Sequence, residues 1–217
     1  MPDRSVFSFV KAMFPRINVG IYLAELSRAL EGCRTVLDIG CGGASPLRHL
    51  GIEHLVGVDA HAPTLEEAKR AGTHREFHLV DVRQVGAYFQ ERRFDACVAL
   101  DLIEHLIKAD GISLIRDMEK LAVKRIVVFT PNGFLPQVSP EGELQEHLSG
   151  WVPADMNDLG FRVIGMLGPK LLRGEYHEWR YLPRAVASPL AAISHYAYTR
   201  AHPTSAAAML CVKRLEP

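Results

Sequence analysis

The stretch VLDIGCGGASPL, Val36 to Leu47, runs from an apolar β-branched segment through an acid into three glycines within five residues. Glycine lets a backbone turn sharply and lets another molecule lie close against it. The segment therefore reads as a strand ending in a ligand-facing loop, with a nucleotide, a phosphate or a bare tight turn as the alternatives. A dinucleotide fingerprint, G-x-G-x-x-G/A, fits Gly40 and Gly42 but meets Ser45 at its third small position. Read as D-x-G-x-G-x-G, the same residues supply Asp38, Gly40 and Gly42, with Ala44 in the last place. Ala44 is tolerated there if its φ is negative. No G-x-x-x-x-G-K-[ST] occurs, so a lysine-bearing phosphate loop is excluded.

Outward from this loop, β-branched runs alternate with helical stretches. TVLDIG (35–40), HLVGVD (54–59), EFHLVD (76–81), FDACVAL (94–100) and RIVVFT (125–130) are the five clearest strands. Between them PLRHL, PTLEEAKRAG, RQVGAYFQERR and a long segment from Leu102 to Leu121 read as helices, and a further helix is expected over Pro153–Leu159. The first thirty residues also read as helix, with Ile21, Leu23, Leu26 and Leu30 as its stripe and Gly32 as its end. Such alternation predicts parallel βαβ units in a doubly wound sheet, and near-continuous apolar strands fit burial on both faces. After Thr130 the text changes: PNGFLPQVSPEGE reads as a long loop, FRVIGMLG (161–168) as a strand, 169–203 as an aromatic, proline-dotted insert, and AAAMLCVKRL (206–215) as a last strand. The expected organisation is one domain over 1–217: a helical segment (1–32), a core (33–168), the insert (169–203) and a final strand (204–217).

Composition narrows the function. A chain of 217 residues with 48% hydrophobic and 23% charged content can bury a large core and does not read as disordered. Its 25 basic and 25 acidic residues cancel, leaving no electrostatic footprint for nucleic acid. Cys33, Cys41, Cys97 and Cys211 follow no C-x-x-C spacing and read as small buried hydrophobes. The N-terminus has no signal-peptide pattern and no apolar run is long enough to span a membrane, so a cytoplasmic setting is expected.

An acid closes or follows each of the first four strands: Asp38, Asp59, Asp81 and Asp101. In an open α/β sheet the ligand crevice lies beyond these carboxyl ends. Converging carboxylates suit hydroxyls, amines or a positive charge and repel a polyphosphate.

At these residues the chain resembles the class I S-adenosylmethionine-dependent methyltransferases, in the branch that acts on small molecules. VLDIGCGGA resembles the family's first motif, GVDA the second, HLVDV the third and FDACVALDLIEHL the fourth. VFTPNGF and HLSGWVPADMNDLGFRVIG resemble the tail of the same branch. The resemblance implies a Rossmann-like, seven-stranded, mostly parallel sheet of order 3-2-1-4-5-7-6 with the seventh strand antiparallel. It also implies S-adenosylmethionine as cofactor, S-adenosylhomocysteine as product, and a cofactor pocket of Asp38, Gly40, Cys41, Gly42, Asp59, Ala60, Asp81, Val82, Leu100 and Asp101. Asp59 would hold the ribose hydroxyls, Asp81 the adenine amino group, and Val82 would flank the ring. The amides around Gly40–Gly43 could meet the cofactor carboxylate, and Asp38 either orients the loop or reaches the amino group.

For an oxygen or nitrogen acceptor a general base would help. His105, His147 and His177 are the candidates, with Glu104 beside the first. If 101–105 were helical, Asp101 and His105 would share a face. His105 could equally pack or cap there. The two histidines of HREFH (74–78) fall on an expected strand, where they lack metal-site geometry, so no metal is expected. Tyr176, Trp179, Tyr181, Tyr196 and Tyr198 of the insert could form a lid, touch a membrane surface, or pack on the domain as a monomer or a dimer face. The expected activity is methyl transfer to a small molecule, with oxygen preferred. The alternatives are an rRNA or protein methyltransferase, a non-catalytic cofactor-binding module, and a nicotinamide oxidoreductase.

Overall fold

The computed structural model describes residues 16–136, 146–173, 182 and 184–215. Its centre is a seven-stranded sheet of order β3-β2-β1-β4-β5-β7-β6. The strands are β1 (Thr35–Ile39), β2 (His54–Asp59), β3 (Glu76–Leu79), β4 (Phe94–Leu100), β5 (Ala122–Pro131), β6 (Arg162–Pro169) and β7 (Ala206–Arg214). The first five pair in parallel, and β7 runs antiparallel to both β5 and β6.

Helices cover both faces: α1 (Arg16–Ala29), α2 (Ala62–Ala71), α3 (Val85–Tyr88), α4 (Lys108–Leu121), α5 (Pro153–Asp158) and α6 (Arg184–Ser194). Alternate residues along each central strand divide between two apolar layers, as side chains of period two must. Leu37, Ile39, Val58, Cys97, Ala99 and Val128 face α4 and Trp151. Val36, Leu55, Val98, Val127 and Phe129 face α1 and the end of α6. All four cysteines are buried and unbonded.

Several elements differ from the reading of the sequence, each for a physical reason. The segment Leu102–Leu121 is not one helix. Asp101 takes φ +49, a 3-10 turn spans Ile103–His105, and α4 begins only at Lys108. The Ile103 carbonyl accepts from Ser149 Oγ and Trp151 Nε1, and the Glu104 carbonyl from the amides of Leu148 and Ser149. Carbonyls spent on the 147–151 segment are not available for a helical ladder, so Asp101 and His105 share no helix face. PLRHL is a 3-10 turn, and RQVGAYFQERR shortens to a 3-10 turn and α3, after which Phe89 drops into the core beside Phe94. HREFH enters its strand only at Glu76, leaving His74 before it. The insert, read as without period, carries α6 and a π turn (His195–Thr199); α6 contains Pro189.

α1 follows its expected stripe, with Ile21, Leu26 and Leu30 buried and Gly32 at φ +76 beyond its end. Its buried Glu25 interrupts that pattern and is held by Arg200, whose Nε and Nη2 donate at 2.9 and 3.2 Å.

Candidate functional site

The glycine loop folds back over the end of β2. Gly40 and Gly42 both have positive φ, +70 and +59. The left-handed φ is what favours glycine at both, and at Gly40 a Cβ would also crowd the Leu102 side chain at 2.8 Å. The amides of Gly40 and Cys41 donate to the Val58 carbonyl at 2.8 and 2.9 Å, and that of Gly42 to Asp59 Oδ2 at 3.0 Å. These amides point inward, so they are not free to receive a carboxylate. Ala44 has no positive φ, so the missing third glycine costs no strain.

Asp38 lies beneath the loop, buried, with Oδ2 accepting from Ser45 Oγ at 2.5 Å and lying 3.0 Å from His74 Nε2. It therefore stitches the loop to the segment entering β3. Gly57 makes room, since a Cβ there would stand 3.0 Å from both Cys41 Sγ and the His74 ring. Asp59 accepts from Gly42 N through one oxygen and from His61 N, at 2.8 Å, through the other. It stays half-exposed, and Ala60 beside it is exposed. Asp81 accepts from the Arg83 amide at 2.9 Å and pairs with its guanidinium, which outweighs partial burial and holds the carboxyl below the usual range. Val82 is buried behind it.

The end of β4 meets the C-terminal half of the chain. Leu100 is half-buried, and the Asp101 amide donates to the Phe129 carbonyl at 2.9 Å. Asp101 is exposed at its edge, yet the protein around it desolvates the carboxyl and raises it. Glu104 is buried, accepts from Thr130 Oγ1 at 3.0 Å, and is raised well above the carboxylate range by burial and by Asp101. Opposite it the rings of His105 and His147 meet edge to face, centroids 4.8 Å apart. His105 Nδ1 donates to the Glu146 carbonyl at 3.1 Å, and His147 Nδ1 to the Leu135 carbonyl at 2.7 Å. Both Nε2 atoms are left with a lone pair. Burial pushes His105 down to about 4 and lowers His147 as well, so both imidazoles are neutral at pH 7.

The structure thus gathers Glu104, His105 and His147, with one ligand atom of each within 4.8 Å of the others. Two residues escaped the sequence reading. His74 sits under Asp38, and Tyr22 of α1 packs edge-on against Phe129, with its hydroxyl pushed upward by burial and by Asp101, Asp38 and Glu104. A tyrosine inside an apolar helix reads as core, and neither contact has a local signature. His177, Tyr176, Trp179 and Tyr181 lie outside the described residues. Tyr196 and Tyr198 are exposed, and Tyr198 stacks on His202 at 4.1 Å. Two surface hollows of about 290 and 300 Å³ lie at the opposite, amino-terminal ends of the strands. One is lined by Arg34, Glu53 and Asp95, whose charges are spent on mutual pairs and on Lys124. Among the described residues no helix is long and apolar enough to cross a membrane.

A family model described as a methyltransferase domain matches residues 37–128, from within β1 to within β5. No curated protein sequence matches significantly. Among solved structures, a SAM-dependent methyltransferase from Archaeoglobus fulgidus is 19% identical, with TM-score 0.58, covering 91% of this chain and 94% of that one. Magnesium protoporphyrin IX methyltransferase from Synechocystis PCC 6803, with bound SAM, is 19% identical at TM-score 0.52 over 90% and 77% of the two chains. The N-methyltransferase NodS from Bradyrhizobium japonicum WM9, in complex with SAH, is 13% identical at TM-score 0.58 over 91% and 85%. These identities speak to the fold, and the matched domain spans the strands that carry the glycine loop and the first four acids. Residues 37–128 thus match a methyltransferase domain, and the fold is similar to that of solved S-adenosylmethionine-dependent methyltransferases.

Proposed function

We propose that this enzyme methylates a hydroxyl oxygen of a small-molecule acceptor, with the donor over the glycine loop and the acceptor at Glu104, His105 and His147. The observation that carries this reading is the pair of neutral imidazoles beside the end of β4, each with Nδ1 tied to a carbonyl and Nε2 open to a hydroxyl. On the donor side, Asp59 keeps lone pairs for the ribose hydroxyls, while Asp81 and Val82 flank the adenine. Leu100 and Asp101, at the end of β4, stand beside the methionine ammonium. Asp38, engaged with Ser45 and His74, holds the loop rather than the ligand.

The reaction is an in-line displacement, for which positioning supplies much of the rate. A lone pair of the hydroxyl oxygen forms the new C–O bond, the S–CH3 bond breaks with its electrons going to sulfur, and the sulfonium becomes a neutral thioether. The hydroxyl proton passes to the open Nε2 of His105 or His147. Zero net charge disfavours a nucleic-acid acceptor. The fold neighbours differ in their printed substrates, so acceptor choice rests with this chain's own residues.

The test incubates the protein and a metabolite extract with methyl-labelled S-adenosylmethionine and follows the label by mass spectrometry. A labelled O-methyl product is expected. Label on nitrogen, on carbon, or in RNA or protein overturns the reading.

A further inference from the structure

We infer that Glu104, His105 and His147 form a binding site for a divalent transition-metal ion of the zinc or manganese kind, open on its acceptor side. The inference rests on the O-methylation reading and deepens it, by naming what activates the acceptor.

Three independent arrangements converge on it. The donor set is two imidazoles and one carboxylate, which suits Zn²⁺, Mn²⁺, Fe²⁺ or Co²⁺ better than the all-oxygen ions Ca²⁺ and Mg²⁺. One ligand atom from each residue already lies within 4.8 Å of the others. Donors on a metal at about 2.1 Å stand roughly 3 to 3.4 Å apart, a closure within reach of side-chain rotation. Each ligand also has a partner that fixes its orientation. His105 and His147 donate Nδ1–H to the carbonyls of Glu146 and Leu135, and Thr130 donates its hydroxyl to Glu104. That outer layer presents Nε2 and a carboxylate oxygen as ligands and is the usual support of a metal-binding histidine. Finally, the stretches that carry the ligands are bolted together, since the amides of Leu148 and Ser149 both donate to the Glu104 carbonyl. Among the described residues no lysine or arginine pairs with Glu104, and Lys108, the nearest lysine in sequence, is held by Asp155 and the Gly150 carbonyl.

Three protein ligands leave coordination positions for substrate, as in catalytic rather than structural sites. A cation there binds the acceptor hydroxyl through oxygen and lowers its pKa. The proton then departs to solvent instead of resting on an imidazole, and the oxygen attacks the methyl carbon as above.

The test titrates chelator-treated, desalted protein with Co²⁺ and follows the visible absorption of the bound ion, with Zn²⁺ as competitor. One ion per chain is expected, with Kd at or below about 10 μM. His105→Ala and His147→Ala should each weaken binding at least about tenfold. Glu104→Gln, nearly isosteric, serves as a second probe should an alanine variant fold poorly, and unchanged affinity for S-adenosylhomocysteine reports that each variant is folded. Absence of saturable Co²⁺ binding in the wild type, or unchanged binding in folded His105→Ala and His147→Ala variants, overturns the inference. If in addition O-methylation persists in excess chelator, the cation fails while the O-methylation reading stands. Failure to bind S-adenosylhomocysteine or to transfer methyl would count against that reading whatever the metal result.

Discussion

Asp59 works in two directions from the end of β2. Its oxygens hold the amides of Gly42 and His61, fixing the shape of the loop, and the side chain remains half-exposed toward the cleft. Asp59→Ala removes both the loop anchor and the proposed ribose partner. Affinity for S-adenosylhomocysteine should fall at least about tenfold by calorimetry, or about 1.4 kcal/mol; an unchanged Kd would contradict the ribose assignment. His105 makes a second residue-level case. Burial lowers its pKa to about 4, below the roughly 6.5 of an unfolded histidine. Between those values the unfolded chain binds the proton and the folded chain does not, so the contribution of His105 to stability is full above 6.5 and is lost as pH falls toward 4. Asp101 and Glu104, both shifted upward, act in the opposite sense and remain in a His105→Asn variant. The wild type should therefore lose more stability than His105→Asn between pH 7 and 5 in parallel melts, and equal losses would refute the shift.

Among the elements, α4 and the 147–151 segment depend on one glycine. A Cβ at Gly111 would stand 2.6 Å from Cζ2 of Trp151, a fully buried ring whose Nε1 donates to the Ile103 carbonyl and Ser149 Oγ. Lys108 Nζ covers the same ring at 4.3 Å, so the indole cannot retreat freely. Gly111→Ala gains about 1 kcal/mol of helix propensity and loses about 1–3 to overpacking. We expect a net fall in Tm of a few degrees, with turnover reduced more than S-adenosylhomocysteine affinity, because Trp151 anchors the 147–151 segment that carries His147. A variant as stable and active as wild type would show that the ring moves aside. This region also marks the limit of what the sequence discloses. The seven strands were legible because β-branched runs are local signals, and their order followed from a motif resemblance. The Asp38–His74 contact was not, because it joins positions 36 residues apart with no shared pattern. The broken helix after β4 was misread for the same reason: hydrogen bonds from the distant 147–151 segment override a local propensity for helix.

At the scale of the molecule, α1 and the end of the insert are joined through Glu25. Burial pushes its carboxyl up, but the hydrogen bonds and charge of Arg200 outweigh this and hold it low. Both Glu25 oxygens are engaged by Arg200, and Asn18 of α1 reaches Ser188 of α6 at 3.4 Å. Glu25→Ala strands a guanidinium that is only partly open to water. It should cost about 1–3 kcal/mol in chemical denaturation while leaving S-adenosylhomocysteine affinity intact, since Glu25 pairs with Arg200 and Arg28 and with none of the residues assigned to the donor. No loss would mean the pair is idle.

The sheet order has a consequence for the growing chain. β7 is the sole partner of β6 and separates it from β5, yet it lies some forty residues after β6 in sequence. During synthesis, β1 to β5 can assemble while residues 162–169 wait with both edges unpaired and their apolar side chains uncovered. Only when 206–214 emerges can it slide between them, closing two ladders at once. The interval between β6 and β7 therefore leaves an apolar strand without a partner, the kind of exposure that favours aggregation.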